Sequence, residues 1–160
     1  ANVVLERWKA AIPLAFNAHQ DHVLAAYAKD VARLKLQRGY KTADVVRVMP
    51  EQPDIKALRE KFLKEHIHID DEVRFFVEGS GSFYLHIHKH VYVIVCEQGD
   101  LLNVPANTPH WFDMGPRPFF TAIRLFTNEE GWVGHLTGST IAQQFPLFEQ
   151  VESYAELKKY

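Results

Sequence analysis

Two hydrophobic periodicities divide the chain near residue 66. Before it, apolar residues recur every three or four positions, which is typical of helices packed on a core. One predicted helix begins at an N-cap, Asp21, and ends at Gly39, where a left-handed residue is expected. Pro53 opens a second predicted helix, and residues 42–48 between the two fit either a helix or a strand.

After this point apolar residues alternate with polar ones, as in strands that bury one side. Turn signals separate the predicted strands at residues 79–81, 88–89, 98–100 and 115–116. Short antiparallel strands at this spacing predict a sandwich or small barrel. The predicted fold is therefore mainly β with an α-helical N-terminal part.

Length and charge exclude several classes of protein. A chain of 160 residues is one domain in size, and 18 basic against 20 acidic side chains offer no footprint for nucleic acid or anionic lipid. The longest apolar run, residues 91–96, is far shorter than the ~20 residues of a membrane helix. A single cysteine, Cys96, excludes an internal disulfide and indicates a reducing compartment. Because the chain begins with Ala1, we expect it to be processed or incomplete.

Histidines and carboxylates cluster just after the change of period. His66 and His68 are two residues apart, so on a strand both imidazoles point to the same side. On a straight strand Glu72 would lie about 13 Å beyond His68, too far to share an ion. Asp70 and Asp71 favour a turn, and a hairpin there would bring Glu72 opposite the histidines.

His110 is a fourth candidate, in a loop that Pro105 and Pro109 stiffen. Two histidines alone are common in exposed hairpins, but the added glutamate and the later Gly–Pro–His element predict a metal site. Three imidazoles and one carboxylate leave two positions of an octahedron open, whereas a structural zinc site would be closed. The ligand set therefore favours chemistry over a purely structural ion.

A rival cluster contains His86, His88 and His90. These three would share one side of a straight strand, but no carboxylate accompanies them. We expect a hairpin turn here and no functional metal.

The pattern H-x-H-x3-E followed by G-x5-P-x4-H resembles the two signature motifs of the cupin superfamily. Within it, residues 57–81, 104–115 and 120–138 resemble the acireductone dioxygenases of methionine salvage. The resemblance implies a cupin-type double-stranded β-helix, a jelly-roll barrel. We expect a single cupin domain with a helical part, a barrel and a tail at residues 1–64, 65–145 and 146–160.

The resemblance also implies the ion and the reaction. One Fe2+ or Ni2+ per chain would be held by four ligands, His66, His68, Glu72 and His110. The substrate would be the acireductone 1,2-dihydroxy-3-keto-5-methylthiopentene, cleaved by O2. The iron form would give formate and 4-methylthio-2-oxobutanoate, and the nickel form methylthiopropionate, formate and carbon monoxide. We expect a soluble, cytoplasmic monomer with small-molecule partners only; the alternative is a non-catalytic metal-binding cupin or one with a different substrate.

Two arginines are candidates for substrate contact. Arg74 follows Glu72 by two residues, so both should face the barrel interior. The resemblance implies that its cation favours the substrate dianion, and the alternative is an ion pair with Glu72 or Asp71. Arg124, in a predicted strand, is a second cation expected to face inward.

The remaining candidates are apolar or acidic. Phe62, Phe112 and Trp132 would wall the pocket for the methylthio tail, or else pack in the core. Glu65 precedes the first ligand, and the resemblance implies a role in metal incorporation; a solvated acidic residue is the alternative.

Overall fold

The computed structural model of the chain describes residues 2–15 and 18–151. Three α-helices lie wholly within these residues, α1 Gln20–Ala26, α2 Ala28–Arg38 and α3 Ile55–Phe62, and residues 148–151 are also helical. A short 3-10 helix covers Ile141–Gln144. Nine strands are present as well: β1 Val4–Arg7, β2 Thr42–Val48, β3 His66–Ile67, β4 Glu72–Ile87, β5 His90–Glu97, β6 Asp100–Val104, β7 His110–Asp113, β8 Phe120–Phe126 and β9 His135–Leu136. None of the helices in these segments is long and apolar enough to cross a membrane.

The predicted mainly β character is confirmed, and one long strand organises the sheet. The first half of β4 pairs with β6 and β8, and its second half pairs with β5 and β7. All these pairings are antiparallel. Beyond them, β1 pairs with β6, β2 pairs with β8, and β3 lies between β7 and β9. Strand β4 is therefore shared by two halves of the sheet.

The side of the sheet that faces α1 and α2 forms one hydrophobic cluster. Val73 and Phe75 of β4 are buried there together with Tyr27 and Leu34 of the helical segment. The Tyr27 and Phe75 rings meet edge to face with centroids 5.5 Å apart. The predicted alternation is therefore present in the first half of β4, where the odd-numbered residues face the helices.

The opposite side of β4 forms a second cluster between the two halves of the sheet. Phe76 of the first half and Phe83 of the second are both fully buried, with ring centroids 6.3 Å apart. Phe112 and Phe120 complete the aromatic packing around them. This interior continues toward the clustered histidines.

The long helix predicted after Asp21 is divided in two at Tyr27. Its backbone leaves helical geometry there, at φ −109° and ψ 21°, while its hydroxyl donates to the Ile12 carbonyl oxygen at 3.3 Å. The N-cap prediction was wrong, because α1 begins one residue earlier and Asp21 lies in its first turn. Gly39 ends α2 in the left-handed conformation, as predicted.

The N-terminal part contains three helices, but it also contributes two strands to the sheet. Residues 42–48, left open between helix and strand, form β2 and pair along their whole length with β8. Strand β1 pairs with β6. A boundary near residue 65 therefore does not separate helices from sheet, and most of the predicted tail, residues 152–160, lies outside the described residues.

The turn predicted at residues 79–81 is wrong. Strand β4 continues through it, with a register shift against β8 between Phe76 and Glu78. A register shift of this kind is a β-bulge, which bends a strand without reversing it. Gly79, just after the bulge, has φ +71°. A Cβ atom on Gly81 would lie 2.2 Å from the Phe112 ring, so this glycine leaves room for an interior side chain.

The other predicted turns are confirmed. Residues 88–89 join β4 to β5 with His88 at φ +57°, and Gly99 at φ +95° joins β5 to β6. Residues 115–116 lie between β7 and β8, and Gly115 has φ +80°. Strands β1, β7 and β9 were missed, and β7 begins at His110, which was expected in a loop.

Gly79→Ala should lower the free energy of unfolding by about 3 kcal/mol or more. The new Cβ would lie 1.9 Å from the backbone oxygen of Phe119, and φ +71° is itself unfavourable for alanine. Urea unfolding at equilibrium measures the change.

Gly39→Ala is the matched control, because Gly39 has φ +72° but an added Cβ atom would meet nothing within 4 Å. We expect it to cost about 1 kcal/mol. Equal losses for the two variants would contradict a steric requirement at Gly79.

Candidate metal centre

Three histidines from separate parts of the chain converge at one end of the interior. His66 in β3 lies directly opposite His110 in β7, and His68 follows β3 immediately. Their ring centroids are 4.5–5.4 Å apart. One nitrogen of each ring lies within 4.8 Å of the others, a spacing at which all three can hold one ion.

Glu72 brings a carboxylate to the same point. Its Oε2 lies 2.8 Å from His68 Nε2 and 3.4 Å from His110 Nε2. The chain bends at residues 69–70, between His68 and Glu72. The expected hairpin is wrong, because β3 pairs with β7 and β9 rather than with β4.

Backbone carbonyl groups hold each of the three imidazoles by Nδ1. The acceptors are Lys64 O for His66, Val133 O for His68 and Thr108 O for His110, at 2.9, 3.0 and 2.7 Å. A carbonyl oxygen can only accept, so each Nδ1 carries the proton of the neutral ring. Each Nε2 therefore presents a lone pair, which is the form that binds metals.

Several buried polar atoms at this point have no hydrogen-bond partner among the described residues. They are His68 Nε2, His110 Nε2, Glu72 Oε2 and Arg74 Nη1. The first three are acceptors that face one another at close range, which is unfavourable unless a positive charge lies between them. Imidazole nitrogens with a carboxylate oxygen suit a divalent iron or nickel ion, so these residues fit the predicted cofactor.

The electrostatics of the site favour a charged carboxylate and neutral rings. Burial alone would raise the pKa of Glu72, but the Arg74 charge holds it well below its usual range. Burial, together with the charge that His110 would carry, lowers the pKa of His66 to about 4. Both directions keep the groups in the form that binds a cation at neutral pH.

Arg74 forms the ion pair that the sequence left as an alternative. Its Nε donates to Glu72 Oε1, and both side chains are almost fully buried. The guanidinium also lies over the rings of Phe83 and Phe112, 5.1 and 5.3 Å from their centroids. Arg74 thus neutralises Glu72 while its Nη1 stays available as a donor.

Arg124 lies opposite Arg74 in the β4–β8 register, so it projects from the same side of the sheet. However, its guanidinium is bound at two points by the Asp44 carboxylate, with Nε 2.8 Å from Oδ1. The sequence offered no sign of this pairing, because Asp44 lies in a segment whose structure it left open.

The three aromatic candidates differ in position. Phe112 is packed among interior rings, and Phe62 of α3 meets it edge to face at 6.0 Å. These contacts match the core-packing alternative. Trp132 is 56% exposed and lies just before Val133, the residue that accepts from His68.

Glu65 is buried rather than solvated, so that alternative was wrong. Its Oε1 accepts from the Thr137 hydroxyl at 2.7 Å, and its Oε2 lies 2.9 Å from His86 Nδ1. His86 therefore bonds to a residue next to the metal cluster, whereas His88 in the β4–β5 turn and His90 at the start of β5 are exposed. Within the described residues, these histidines form no cluster of potential metal ligands.

Sequence reasoning missed the groups that orient the histidines. The acceptors at Lys64, Thr108 and Val133 are main-chain oxygens, which every residue has, so no residue type could reveal them. Thr137 was also missed, because it reaches Glu65 only through the pairing of β3 with β9.

Comparison with known proteins decides the family. The family model described as ARD/ARD′ matches residues 1–134. The chain belongs to the ARD/ARD′ family. This confirms the resemblance found in the sequence.

Members of the ARD/ARD′ family resemble the chain over most of its length. The acireductone dioxygenase of Pseudomonas aeruginosa is 57% identical over 147 residues, 92% of this chain and 81% of the relative. That of Parvibaculum lavamentivorans is 58% identical, with 92% and 80% covered. A solved structure of acireductone dioxygenase from Bacillus anthracis, with a cadmium ion in its active centre, has 34% identity and a TM-score of 0.73. The match covers 83% of this chain and 82% of that one.

Acid should destabilise the metal-free protein through His66. The pKa of His66 is about 4 in the folded state and about 6.5 in the unfolded chain, so between these values only the unfolded chain binds the proton. The free energy of unfolding should therefore fall as pH decreases, by about 1–2 kcal/mol from His66 between pH 7 and 5. Urea unfolding of chelator-treated protein at both pH values measures this.

His66→Gln is the control, since glutamine does not titrate. The pH 7 to 5 difference should be smaller in this variant by the His66 contribution. An unchanged difference would contradict the assignment of the acid effect to His66.

Proposed function

We propose that this chain is an acireductone dioxygenase that cleaves 1,2-dihydroxy-3-keto-5-methylthiopentene with O2. The observation that carries the proposal is the convergence of three imidazole nitrogens and a carboxylate oxygen beside Arg74. The nitrogens of His68 and His110 and the oxygen of Glu72 are buried without a hydrogen-bond partner among the described residues. Relatives that are 57–58% identical and named acireductone dioxygenase support the same substrate class.

The proposed ligands are His66, His68, His110 and Glu72, which would hold one Fe2+ or Ni2+. When bound, the ion supplies a Lewis acid and a template for two adjacent substrate oxygens. The family resemblance implies formate and 4-methylthio-2-oxobutanoate from the iron form, and methylthiopropionate, formate and carbon monoxide from the nickel form. The protein's part is to keep the three Nε2 lone pairs and Oε2 aimed at one point.

Arg74 is the proposed catalytic residue. Its guanidinium stays protonated, so it acts through charge and cannot take a proton itself. A fixed cation in the interior lowers the pKa of the substrate hydroxyl groups and favours the dianion. Its buried Nη1 is a donor without a partner among the described residues and could bond to a substrate oxygen.

The substrate tail requires an apolar wall. Phe62, Phe112 and Trp132 are proposed for it, and their positions support unequal roles. Phe62 and Phe112 meet edge to face beside the interior, whereas Trp132 is exposed near the segment that holds His68. Arg124 is proposed as a second substrate cation, acting from its pair with Asp44.

Glu65 is proposed to assist metal incorporation. It directly precedes His66, and its buried carboxylate is fixed by Thr137 and His86. In this position it would add negative charge beside the ligands without occupying the centre.

We also propose a single cupin domain over residues 1–160, with the jelly-roll form of a double-stranded β-helix. Two halves of a sheet that share β4 and enclose an aromatic interior support this form. A cytoplasmic monomer is proposed as well, and the buried, unpaired Cys96 is compatible with a reducing compartment.

His110→Ala should lose most bound metal and nearly all oxygen consumption. His110 Nε2 is one of the converging lone pairs, and a core built from 160 residues folds without metal. Chelator-treated protein is reloaded with Fe2+, its metal is measured by elemental analysis, and oxygen uptake is followed with synthetic acireductone.

His90→Ala is the matched control, because His90 is exposed at the start of β5. This variant should still bind about one metal ion per chain. Full activity of His110→Ala would refute the ligand assignment. Wild-type protein that binds metal but consumes no oxygen with acireductone would instead favour a non-catalytic cupin or one with another substrate.

Arg74→Ala should slow catalysis by about ten- to a hundred-and-fifty-fold at neutral pH. The loss corresponds to one hydrogen bond to a charged group, about 1.5–3 kcal/mol. The defect should shrink as pH rises, because the free substrate then ionises without the cation. Initial rates across pH, compared at equal metal content, measure it.

Arg74→Lys should recover only part of the rate, since it keeps the charge but not the planar fork that reaches Glu72. A deficit equal at every pH would count against the dianion role. Loss of metal from Arg74→Ala would support a role in holding Glu72.

A further inference from the structure

Asp70 lies between two of the proposed ligands, His68 and Glu72, and it binds a distant segment of the chain. Its Oδ2 accepts from the backbone N–H of Thr127 at 2.6 Å and of Asn128 at 2.7 Å. Its Oδ1 accepts from the Thr127 hydroxyl and from the N–H of Asp71. One carboxylate thus anchors the start of the segment that follows β8.

The same segment returns to the metal cluster within a few residues. Backbone hydrogen bonds from Gly131 to Asn128 and from Val133 to Glu130, at 3.1 and 3.0 Å, fold it into consecutive turns. The segment then presents the Val133 carbonyl to His68 Nδ1 at 3.0 Å. His68 and Asp70, two residues apart, therefore hold the two ends of one short segment.

Close packing around residues 127–133 restricts the movement of this segment. A Cβ atom on Gly131 would lie 2.9 Å from Phe126 and 3.1 Å from Asp70 Oδ2. The Phe126 ring in turn lies 6.0 Å from the His68 ring. A shift of the segment away from Asp70 would therefore move the carbonyl that orients His68.

We infer that Asp70 is a positioning residue that sets the orientation of His68 through residues 127–133. Asp70 is not one of the four proposed ligands, and its carboxylate bonds to Asp71, Thr127 and Asn128. Without its carboxylate, the N–H groups of Thr127 and Asn128 lose their acceptor, and Val133 no longer lies firmly against His68 Nδ1. The inference rests on the proposed metal site, because orientation of the His68 lone pair matters only if it binds an ion.

The test uses the full chain, treated with chelator and titrated with Co2+ alone. Loss of a group that orients a metal-binding histidine typically weakens affinity about ten- to a hundredfold. We expect a loss of this size for Asp70→Ala, together with a changed visible spectrum of bound Co2+, which reports the ligand geometry. A purely structural role would lower thermal stability but leave that spectrum unchanged.

Asp70→Asn keeps one of the two acceptor oxygens, so it should recover part of the affinity and the wild-type spectrum. It also replaces Asp70→Ala if that variant does not fold. Asp100→Ala is the matched control: Asp100 accepts from the N–H of Glu97 at 2.8 Å, in the turn between β5 and β6. That end of β6 is about 13 Å along the strand from Val104, which pairs with Glu72.

Three outcomes separate the inference from the proposed function. Weaker Co2+ binding and an altered spectrum in Asp70→Ala, with Asp100→Ala like wild type, support the inference. Wild-type affinity and spectrum in both Asp70 variants overturn it and leave the metal site intact. Failure of the wild-type protein to bind Co2+ overturns the proposed metal site, and the inference with it.

Discussion

Burial of the Glu72 carboxylate is the constraint around which the rest of the site is arranged. Moving such a charge out of water costs several kcal/mol unless opposite charge and hydrogen bonds offset it. Arg74 satisfies one oxygen. The other faces His68 and His110, whose Nε2 atoms cannot donate while their Nδ1 protons are bound to carbonyl oxygens. A cation between these three acceptor atoms would make their close approach favourable. The arrangement of the acceptors itself therefore favours a bound metal ion.

The fold meets this constraint by bringing together short pieces of chain. Pairing of β3 with β7 places His66 opposite His110, and the bend before β4 brings Glu72 to the same point. Strand β9 covers the other edge of β3. Strand register thus fixes the backbone of His66 and His110, and hydrogen bonds to backbone carbonyl groups fix the orientation of the three imidazole rings.

Local sequence patterns predicted the features that adjacent residues determine, including the shared direction of His66 and His68 and the alternation in the first half of β4. They failed where a distant partner decides. Residues 79–81 suit a turn by composition, but pairing of β4 with β8 and β5 continues the strand through them. Arg124 pairs with Asp44, 80 residues away, and nothing near either residue indicates it. The groups that accept from the histidines are main-chain carbonyl oxygens, and since every residue has one, residue type does not indicate them.

The acceptor for His68 lies 65 residues further along the chain, and the partner of Glu65 lies 72 residues further. During synthesis the chain emerges from its N-terminus, so His68 leaves the ribosome long before the segment that orients it. Contacts of such long range form late in folding. A nascent chain that ends before Val133 would therefore lack the carbonyl group that orients His68, so the proposed metal site can be completed only after synthesis has passed this residue.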